Sequence, residues 1–248
     1  MLLQVINPNT TASMTELIGR SARAVAGPGT VVVAVSPEAV SAPAGPPVIE
    51  SHADAALAVP GLLAQVAAGE GGGAAGHVIA CFGDPGLDAA REVAAGPVVG
   101  IAEAAMRTAS YLGRTFTVVT TLARTTGRAW ELAGRYGVRD ACAAVRAVDL
   151  GVLELETDPT ARSRIARECA DAVAVDGCDA VVLGCAGMAD LARELTALVG
   201  VPVVDGVAAA VTTVEGLVRQ GLTTGKRGEY AFPPLRAPAA ASLAAATP

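Results

Sequence analysis

The feature that most constrains the fold is an internal repeat in which a strand, a cysteine, a glycine and a helix follow one another twice. The stretch VIACFGDPGLDAAREVAAGPVVGIAEAA aligns with VVLGCAGMADLARELTALVGVPVVDGVAAA, which matches Cys81 with Cys185 and Gly83 with Gly187. Upstream of each copy, LQVINPNTTASMT and TFTVVTTLARTTG place a strand before a Thr-rich turn and a helix. The repeat therefore predicts two similar lobes.

Short β-branched runs alternate with helical patterns along most of the chain. The runs predict strands at residues 2–7, 30–35, 77–82, 97–101, 115–121, 144–150, 179–184 and 202–206. The intervening segments predict helices at residues 12–25, 86–94, 102–112, 122–136, 160–175, 188–199 and 207–219. Several strands are apolar at consecutive positions, as in parallel sheets covered on both faces. The alternation predicts an α/β fold with mostly parallel sheets and right-handed crossovers.

We therefore predict two pseudo-symmetric lobes, each a mostly parallel sheet flanked by helices, with an active site in the cleft between them. The first lobe comprises residues 1–98 plus 207–235, because the second lobe already has its share of elements when the last helix begins. The second lobe comprises residues 99–206. Residues 236–248 form a small-residue tail that we expect to be disordered.

Composition and charge limit the partners of the chain. Hydrophobic residues make up 52% and charged residues 17%, which is typical of a compact globular protein. The formal net charge of −6 disfavours nucleic acid and anionic membranes as partners, and no apolar run is long enough to span a bilayer. The first residues, MLLQVINPNTT, lack a basic signal segment, so we expect a cytoplasmic protein with free thiols that acts on a small molecule.

Cys81 and Cys185 differ in position from the other cysteines, Cys142, Cys169 and Cys178, for which burial as small apolar residues is expected. Each of the two stands at the end of a predicted parallel strand, the edge at which open α/β sheets bind ligands. Each is followed by a glycine and a helix, whose first N–H groups favour negative charge. The pattern predicts a lowered thiol pKa at both positions.

Two opposed thiols, one from each lobe, suit the inversion of a stereocentre that carries an acidic C–H. One thiolate removes the proton from one face, and the opposite thiol delivers a proton to the other face. Each sulfur would lie about 3–3.5 Å from the reacting carbon. Backbone amides after Cys81 and Cys185 would stabilise the developing enolate. A disulfide between the two sulfurs would be incompatible with this chemistry.

Five stretches occur together in the chain, INPNTTASMT, ACFGDPGLDAARE, PVVGIAEAA, VVTT and LGCAGM. In these stretches, and over nearly its whole length apart from the tail, the chain resembles the hydantoin racemases of the aspartate/glutamate racemase superfamily. The resemblance implies a catalytic pair at Cys81 and Cys185, no cofactor, and a homo-oligomer. It also implies racemisation of 5-substituted hydantoins or, as in close relatives, of allantoin.

The residues that follow the two cysteines favour a neutral ring as the substrate. Amino-acid racemases of the superfamily typically continue with Asn-Thr after the first cysteine and with Thr-His or Thr-Glu after the second. Here Phe82-Gly83 and Ala186-Gly187 leave backbone amides and apolar walls around the substrate. We therefore expect these four residues to bind the ring.

Polar residues at two other strand ends are further candidates for substrate binding. Within the resemblance, Asn9 and Thr10 would hydrogen-bond the substrate ring, and Thr120 and Thr121 occupy the matching end in the second lobe. Asn and Thr also form turns and helix caps routinely, so a purely structural role is equally compatible with these positions.

Three alternative functions stay open on the sequence alone. A decarboxylase of the arylmalonate type would share the scaffold, but those relatives keep one of the two cysteines and this chain has both. A cis-trans isomerase of the maleate type is a second possibility. A two-lobe protein that binds a small molecule without chemistry is a third, although it gives no reason for the paired thiols.

Other motifs add little to the prediction. The glycines between Gly71 and Gly76 match GxGxxG but precede a strand instead of following one, so we expect a flexible connection there. No Walker sequence and no Cys/His spacing typical of zinc is present, and His52 and His77 are too few for an obvious metal site. Asp84 is expected to be a turn residue whose carboxylate raises the pKa of Cys81.

Overall fold

The chain folds into alternating strands and helices, as the sequence predicts. A computed structural model describes residues 1–37 and 45–234, so the predicted tail at 236–248 lies outside the described residues. The strands are β1 Leu2–Ile6, β2 Val31–Val35, β3 Gly76–Ile79, β4 Val98–Gly100, β5 Phe116–Thr120, β6 Cys142–Ala147, β7 Ala180–Gly184 and β8 Val203–Val204. The helices are α1 Ala12–Val25, α2 His52–Gly71, α3 Leu87–Val93, α4 Ile101–Leu112, α5 Thr126–Arg135, α6 Glu154–Thr157, α7 Ala161–Asp176, α8 Ala192–Val199 and α9 Gly206–Arg219.

The strands form two parallel sheets with the same topology. Their orders are β2-β1-β3-β4 and β6-β5-β7-β8, so the third strand along the chain pairs with the first in both sheets. Cys81 and Cys185 follow these matching third strands, β3 and β7. Because all strands of a parallel sheet end at the same edge, each cysteine lies at the carboxyl edge of its sheet. The predicted α/β fold and its repeat are confirmed.

The central strands are buried because helices cover both faces of the sheets. All residues of β3, β5 and β7 are buried. Alternate residues of β5 then pack into different cores, since side chains along a strand point to opposite faces. Val118 belongs to a core that continues through α4 and α9 to the first sheet. Val119 belongs to a second core, which is closed by α7 and α8.

The last long helix returns to the first half of the molecule. Helix α9 packs against α4 and against β3 and β4 of the first sheet. This is the side to which the sequence analysis assigned residues 207–235. The lobe boundaries at 98 and 206 stay a prediction.

One long helix, α2, is missing from the sequence prediction. Pro60 lies inside it, and its apolar residues are spread around the helix instead of forming one face. The helix begins with a reciprocal cap, in which Ser51 Oγ accepts the Asp54 N–H at 3.1 Å and Asp54 Oδ2 accepts the Glu50 N–H at 3.1 Å. The short helix α6 is also absent from the prediction. Of the predicted flexible connection between Gly71 and Gly76, only Gly71 belongs to α2, and Gly76 begins β3.

Two predicted helices begin later than expected. Ala123–Thr125 and Ala186–Leu191 form tight 3₁₀ turns before α5 and α8. Within the described part of the chain, no helix combines the length and the apolar character that crossing a bilayer requires.

Candidate active site

A cavity of about 410 Å³ lies at the carboxyl edges of the two sheets and is lined by residues from both halves. It contains eight of the ten residues that the sequence analysis selected, which are Asn9, Cys81, Phe82, Gly83, Thr120, Thr121, Cys185 and Ala186. Thr10 and Gly187 do not line it. The fold thus brings the two cysteines to one cavity although about a hundred residues separate them in sequence.

Both cysteines are free and partly buried. The backbone N–H of Gly187 donates to Cys185 Sγ at 3.4 Å, so Gly187 contacts the thiol from outside the cavity. Phe82 and Ala186, which follow the two cysteines, are buried with 8% and 4% of their surface exposed. Both apolar side chains that follow the thiols therefore line the cavity with little of their surface exposed.

The predicted lowering of the thiol pKa values is wrong. Burial raises the pKa of Cys81 to about 12, and the backbone amide of Gly83 offsets only part of that effect. Burial likewise raises the pKa of Cys185 to about 11, against the lowering effect of the Gly187 amide. At Cys81 the predicted helix α3 begins only at Leu87, six residues further on, so its first N–H groups do not directly follow the cysteine. Desolvation of the thiolate then dominates.

Asn9 combines a structural role with a place in the cavity. Its Oδ1 accepts the backbone N–H of Thr11 at 2.9 Å and the side-chain amide of Asn7 at 2.8 Å. These bonds hold the turn between β1 and α1, as the structural interpretation of the motif predicts. Thr10 contributes its backbone N–H to Pro46 at 3.1 Å and does not reach the cavity.

Thr120 ends β5 and Thr121 follows it, on the opposite side of the cavity, and both are buried. Thr120 Oγ1 donates to the carbonyl oxygen of Gly184 at 3.2 Å, which ties the end of β5 to the residue before Cys185. The carbonyl oxygen of Thr121 accepts the N–H of Leu150 at 3.2 Å. Both threonines therefore order the cavity wall as well as line it.

Asp84 does more than form a turn. It is buried, has a positive φ of 42°, and accepts the N–H groups of Ala102 at 3.1 Å and Glu103 at 2.9 Å. The Tyr136 hydroxyl donates to the same carboxylate at 2.5 Å. Asp84 therefore caps α4, a role that the turn sequence FGDPG does not reveal. As predicted, its charge contributes to the raised pKa of Cys81.

Several polar and charged residues at the cavity are absent from the sequence prediction. Glu50, Ser51 and His52 reach it from the start of α2, and Arg124 and Arg128 reach it from the turn and helix after β5. The Ser51-x-x-Asp54 cap is the sequence signal for the first group. Arg124 and Arg128 are spaced i, i+4, which places them on one face of a helix that follows a candidate strand end.

Two of these residues form contacts between the halves on either side of the cavity. Arg128 Nε and Nη2 donate to the carbonyl oxygen of Gly83 at 3.3 and 3.0 Å. Glu50 Oε1 accepts the N–H of Val152 at 2.7 Å. Arg128 lowers the pKa of the Cys81 thiol, less strongly than burial raises it. Glu50 adds to the raised pKa of Cys185, after burial.

Among residues 1–37 and 45–234, no group of three or more His, Cys, Asp or Glu side chains is arranged to hold a metal ion. His77 is fully buried and its ring nitrogens contact Gln4 Oε1 at 2.9 Å and Glu70 Oε1 at 2.8 Å. It is therefore a structural residue.

Comparison with known proteins gives a consistent result. The sequence profile of the family described as Asp/Glu/Hydantoin racemase matches residues 3–214. The hydantoin racemase of Rhizobium meliloti is 47% identical over 96% of this chain and 98% of its own. The solved structure of the allantoin racemase from Klebsiella pneumoniae is 51% identical, with a TM-score of 0.93 over 97% of both chains. That of the allantoin racemase from Pseudomonas fluorescens is 40% identical, with a TM-score of 0.88 over 96% of this chain and 99% of its own.

Proposed function

Because the chain belongs to the Asp/Glu/Hydantoin racemase family, we propose that it is a racemase that inverts the C5 stereocentre of 5-substituted hydantoins or of allantoin. The observation that carries this proposal is the shared cavity, which receives one free cysteine from each of two matching parallel sheets. The names of the similar proteins, hydantoin racemase and allantoin racemase, supply the substrate class.

We assign the two proton transfers to Cys81 and Cys185. When one sulfur is a thiolate and the other a thiol, the thiolate takes the C5 proton from one face of the ring. The other thiol then gives its proton to the opposite face, so the product has inverted configuration and the two sulfurs have exchanged roles. The opposite enantiomer reacts in the reverse direction through the same pair.

The apolar surroundings have opposite effects on the base and on its abundance. A thiolate with a raised pKa is a stronger base towards a weakly acidic C–H, but less of it is present at neutral pH. With the thiol pKa values at about 12 and about 11, both cysteines are protonated at neutral pH. The rate of racemisation should therefore increase with pH until the cysteine pair is half ionised.

The negative charge that develops on the substrate carbonyl oxygen needs hydrogen-bond donors. Backbone N–H groups after each cysteine are the candidate donors, together with the side-chain amide of Asn9. The buried Phe82 and Ala186 exclude water and favour a neutral ring over a charged amino acid.

The proposal includes two further features that the resemblance implies. The enzyme works without a cofactor, and it assembles as a homo-oligomer. The cytoplasmic location stays a prediction from the sequence alone.

A single-enantiomer 5-substituted hydantoin in heavy water tests the proposal. The purified protein should abolish the optical rotation and introduce deuterium at C5, and single-enantiomer allantoin should be examined in parallel. Racemisation without deuterium uptake would contradict the two-base mechanism. Absence of both effects with a series of hydantoins and with allantoin would contradict the proposed function.

A further inference from the structure

The turn that carries Cys81 is held from the other half of the molecule by the Arg128 side chain. Two guanidinium nitrogens donate to the carbonyl oxygen of Gly83, at 3.3 Å from Nε and 3.0 Å from Nη2. Arg128 lies in the first turn of α5, in the second half, and Gly83 is two residues beyond Cys81. The contact therefore joins the second half to the backbone next to the proposed catalytic sulfur.

This contact fixes more than one atom of the turn. The carbonyl of Gly83 and the N–H of Asp84 belong to the same planar peptide group, so holding one orients the other. The Asp84 N–H donates to the carbonyl oxygen of Cys81 at 2.9 Å and closes the turn on that residue. Arg128 and the backbone of Cys81 thus hold the same peptide group from its two ends.

The charge of Arg128 also acts on the Cys81 sulfur. Among the described residues, the ionisable groups with the strongest effect on this thiol are Cys185, Asp84 and Arg128. Cys185 and Asp84 disfavour the thiolate, whereas the guanidinium favours it. Arg128 lines the cavity, and its side chain is 37% exposed, with an ion pair to Glu131 at 3.4 Å. Its charge is therefore close to the sulfur but not neutralised by a buried partner.

We propose that Arg128 is a positioning residue for Cys81. The Arg128 side chain holds the Cys81 turn through the Gly83 carbonyl and supplies the positive charge that the Cys81 thiolate needs. The proposal rests on the proposed racemase function, because it assigns Cys81 the role of a base. It predicts that Arg128 contributes to proton transfer without contacting the reacting carbon.

Three variants test this role. Arg128→Gln removes both the positive charge and the planar guanidinium group with its two N–H donors. Arg128→Lys keeps the charge but loses the planar guanidinium group. Arg135→Gln is the matched control, because Arg135 lies on the same helix and pairs with Asp88 across the same boundary, away from the cavity. Each variant is measured for kcat and KM, for thermal midpoint, and for the pH dependence of alkylation at Cys81 and Cys185, resolved by peptide mass.

Arg128→Gln should lower kcat about ten-fold or more, with a smaller change in KM, since a hydrogen bond from a charged donor is lost. Its Cys81 alkylation profile should shift to higher pH, and the Cys185 profile should shift less. Arg128→Lys should recover part of both effects. Arg135→Gln should match the wild type in kcat and in both profiles, even if its thermal midpoint falls.

Two results would overturn the proposal. One is an Arg128→Gln protein whose kcat and whose pH profile of Cys81 alkylation equal those of Arg135→Gln. The other is a change in KM alone, which would mean that Arg128 binds substrate instead of positioning Cys81. If Arg128→Gln does not fold, Arg128→Lys still tests the hold on the Gly83 carbonyl, because it keeps the charge and loses the planar guanidinium; a kcat equal to that of Arg135→Gln would then overturn the proposal. A wild-type protein that racemises nothing would refute the proposed function, while the alkylation profiles would still test the link between Arg128 and Cys81.

Discussion

The carboxyl group of Asp84 occupies the space that a side chain at position 100 would need, so a Cβ added to Gly100 would overlap with it. From there Asp84 accepts two backbone N–H groups at the start of α4, at 3.1 and 2.9 Å. In the second half, Asp205 stands at the position that aligns with Gly100 and caps α9 locally. The two halves therefore cap matching helices with aspartates from different places in the repeat.

This relationship predicts that Gly100→Ala destabilises the protein. The added methyl group would displace the Asp84 carboxylate or shift β4, which should cost about 1–3 kcal/mol in the free energy of unfolding. Urea unfolding measures the change. Gly216→Ala is the control, because Gly216 lies within α9 with open space around it. That substitution should stabilise the protein by about 0.5–1 kcal/mol. Equal stability of Gly100→Ala and wild type would contradict the close packing of Asp84 against Gly100.

Asp84→Asn should separate the two roles of this carboxylate. Asn keeps one of the two oxygens that accept the N–H groups of α4, so loss of the other should cost about 1 kcal/mol of stability, and loss of the negative charge should shift Cys81 alkylation to lower pH. Asp205→Asn likewise removes one of the two accepting oxygens at the start of α9, so it should lower stability similarly without moving the pH profile of Cys81 alkylation. Identical Cys81 profiles in both variants would show that Asp84 does not act on the thiol.

The raised pKa values predict slow alkylation of the native thiols. At pH 7 Cys81 and Cys185 should react much more slowly with iodoacetamide than the same cysteines in the unfolded chain, whose pKa is about 8.5. Reactivity should increase steeply above pH 9, and a hydantoin substrate should protect both residues. Rapid labelling of native Cys81 and Cys185 at pH 7 would contradict the dominance of desolvation.

Burial of the thiols also predicts a loss of stability at alkaline pH. Cys169 is fully buried, and burial raises its pKa to about 12. A raised thiol pKa favours the folded state as long as the unfolded cysteine is also protonated, and this contribution is lost as pH increases towards the folded pKa. Between pH 8.5 and 10, each fully buried thiol should lower the free energy of unfolding by about 2 kcal/mol. Urea midpoints under reducing conditions should therefore fall over this interval, and less steeply in Cys169→Ala. Urea midpoints that stay constant over this pH interval would contradict the prediction.

Most of the fold could be predicted from the sequence because the pattern that encodes it is local. Short β-branched runs and helical segments alternate, and the eight strands of the described residues and most of the long helices follow them. Helix α2 was missed because Pro60 and an apolar surface on all sides hide its period. The remaining sequence signal for this helix was its N-terminal cap, formed by Ser51 and Asp54.

The site could be predicted only in part, because several of its properties depend on contacts between distant residues. The positions of Cys81 and Cys185 follow from local sequence and the repeat. Their pKa values depend on burial, which a glycine and a following helix do not reveal. In the same way, nothing in the sequence around Arg128 or Gly83 indicates that the two meet across the cavity.

The central claim is that Cys81 and Cys185 act on opposite faces of one carbon, and single substitutions test it most directly. Cys81→Ser and Cys185→Ser should each lose racemisation, measured by polarimetry with each enantiomer of a 5-substituted hydantoin. In heavy water, each variant should still exchange the C5 proton of one enantiomer, and the two variants should prefer opposite enantiomers. Racemisation at the wild-type rate in both variants would contradict the account.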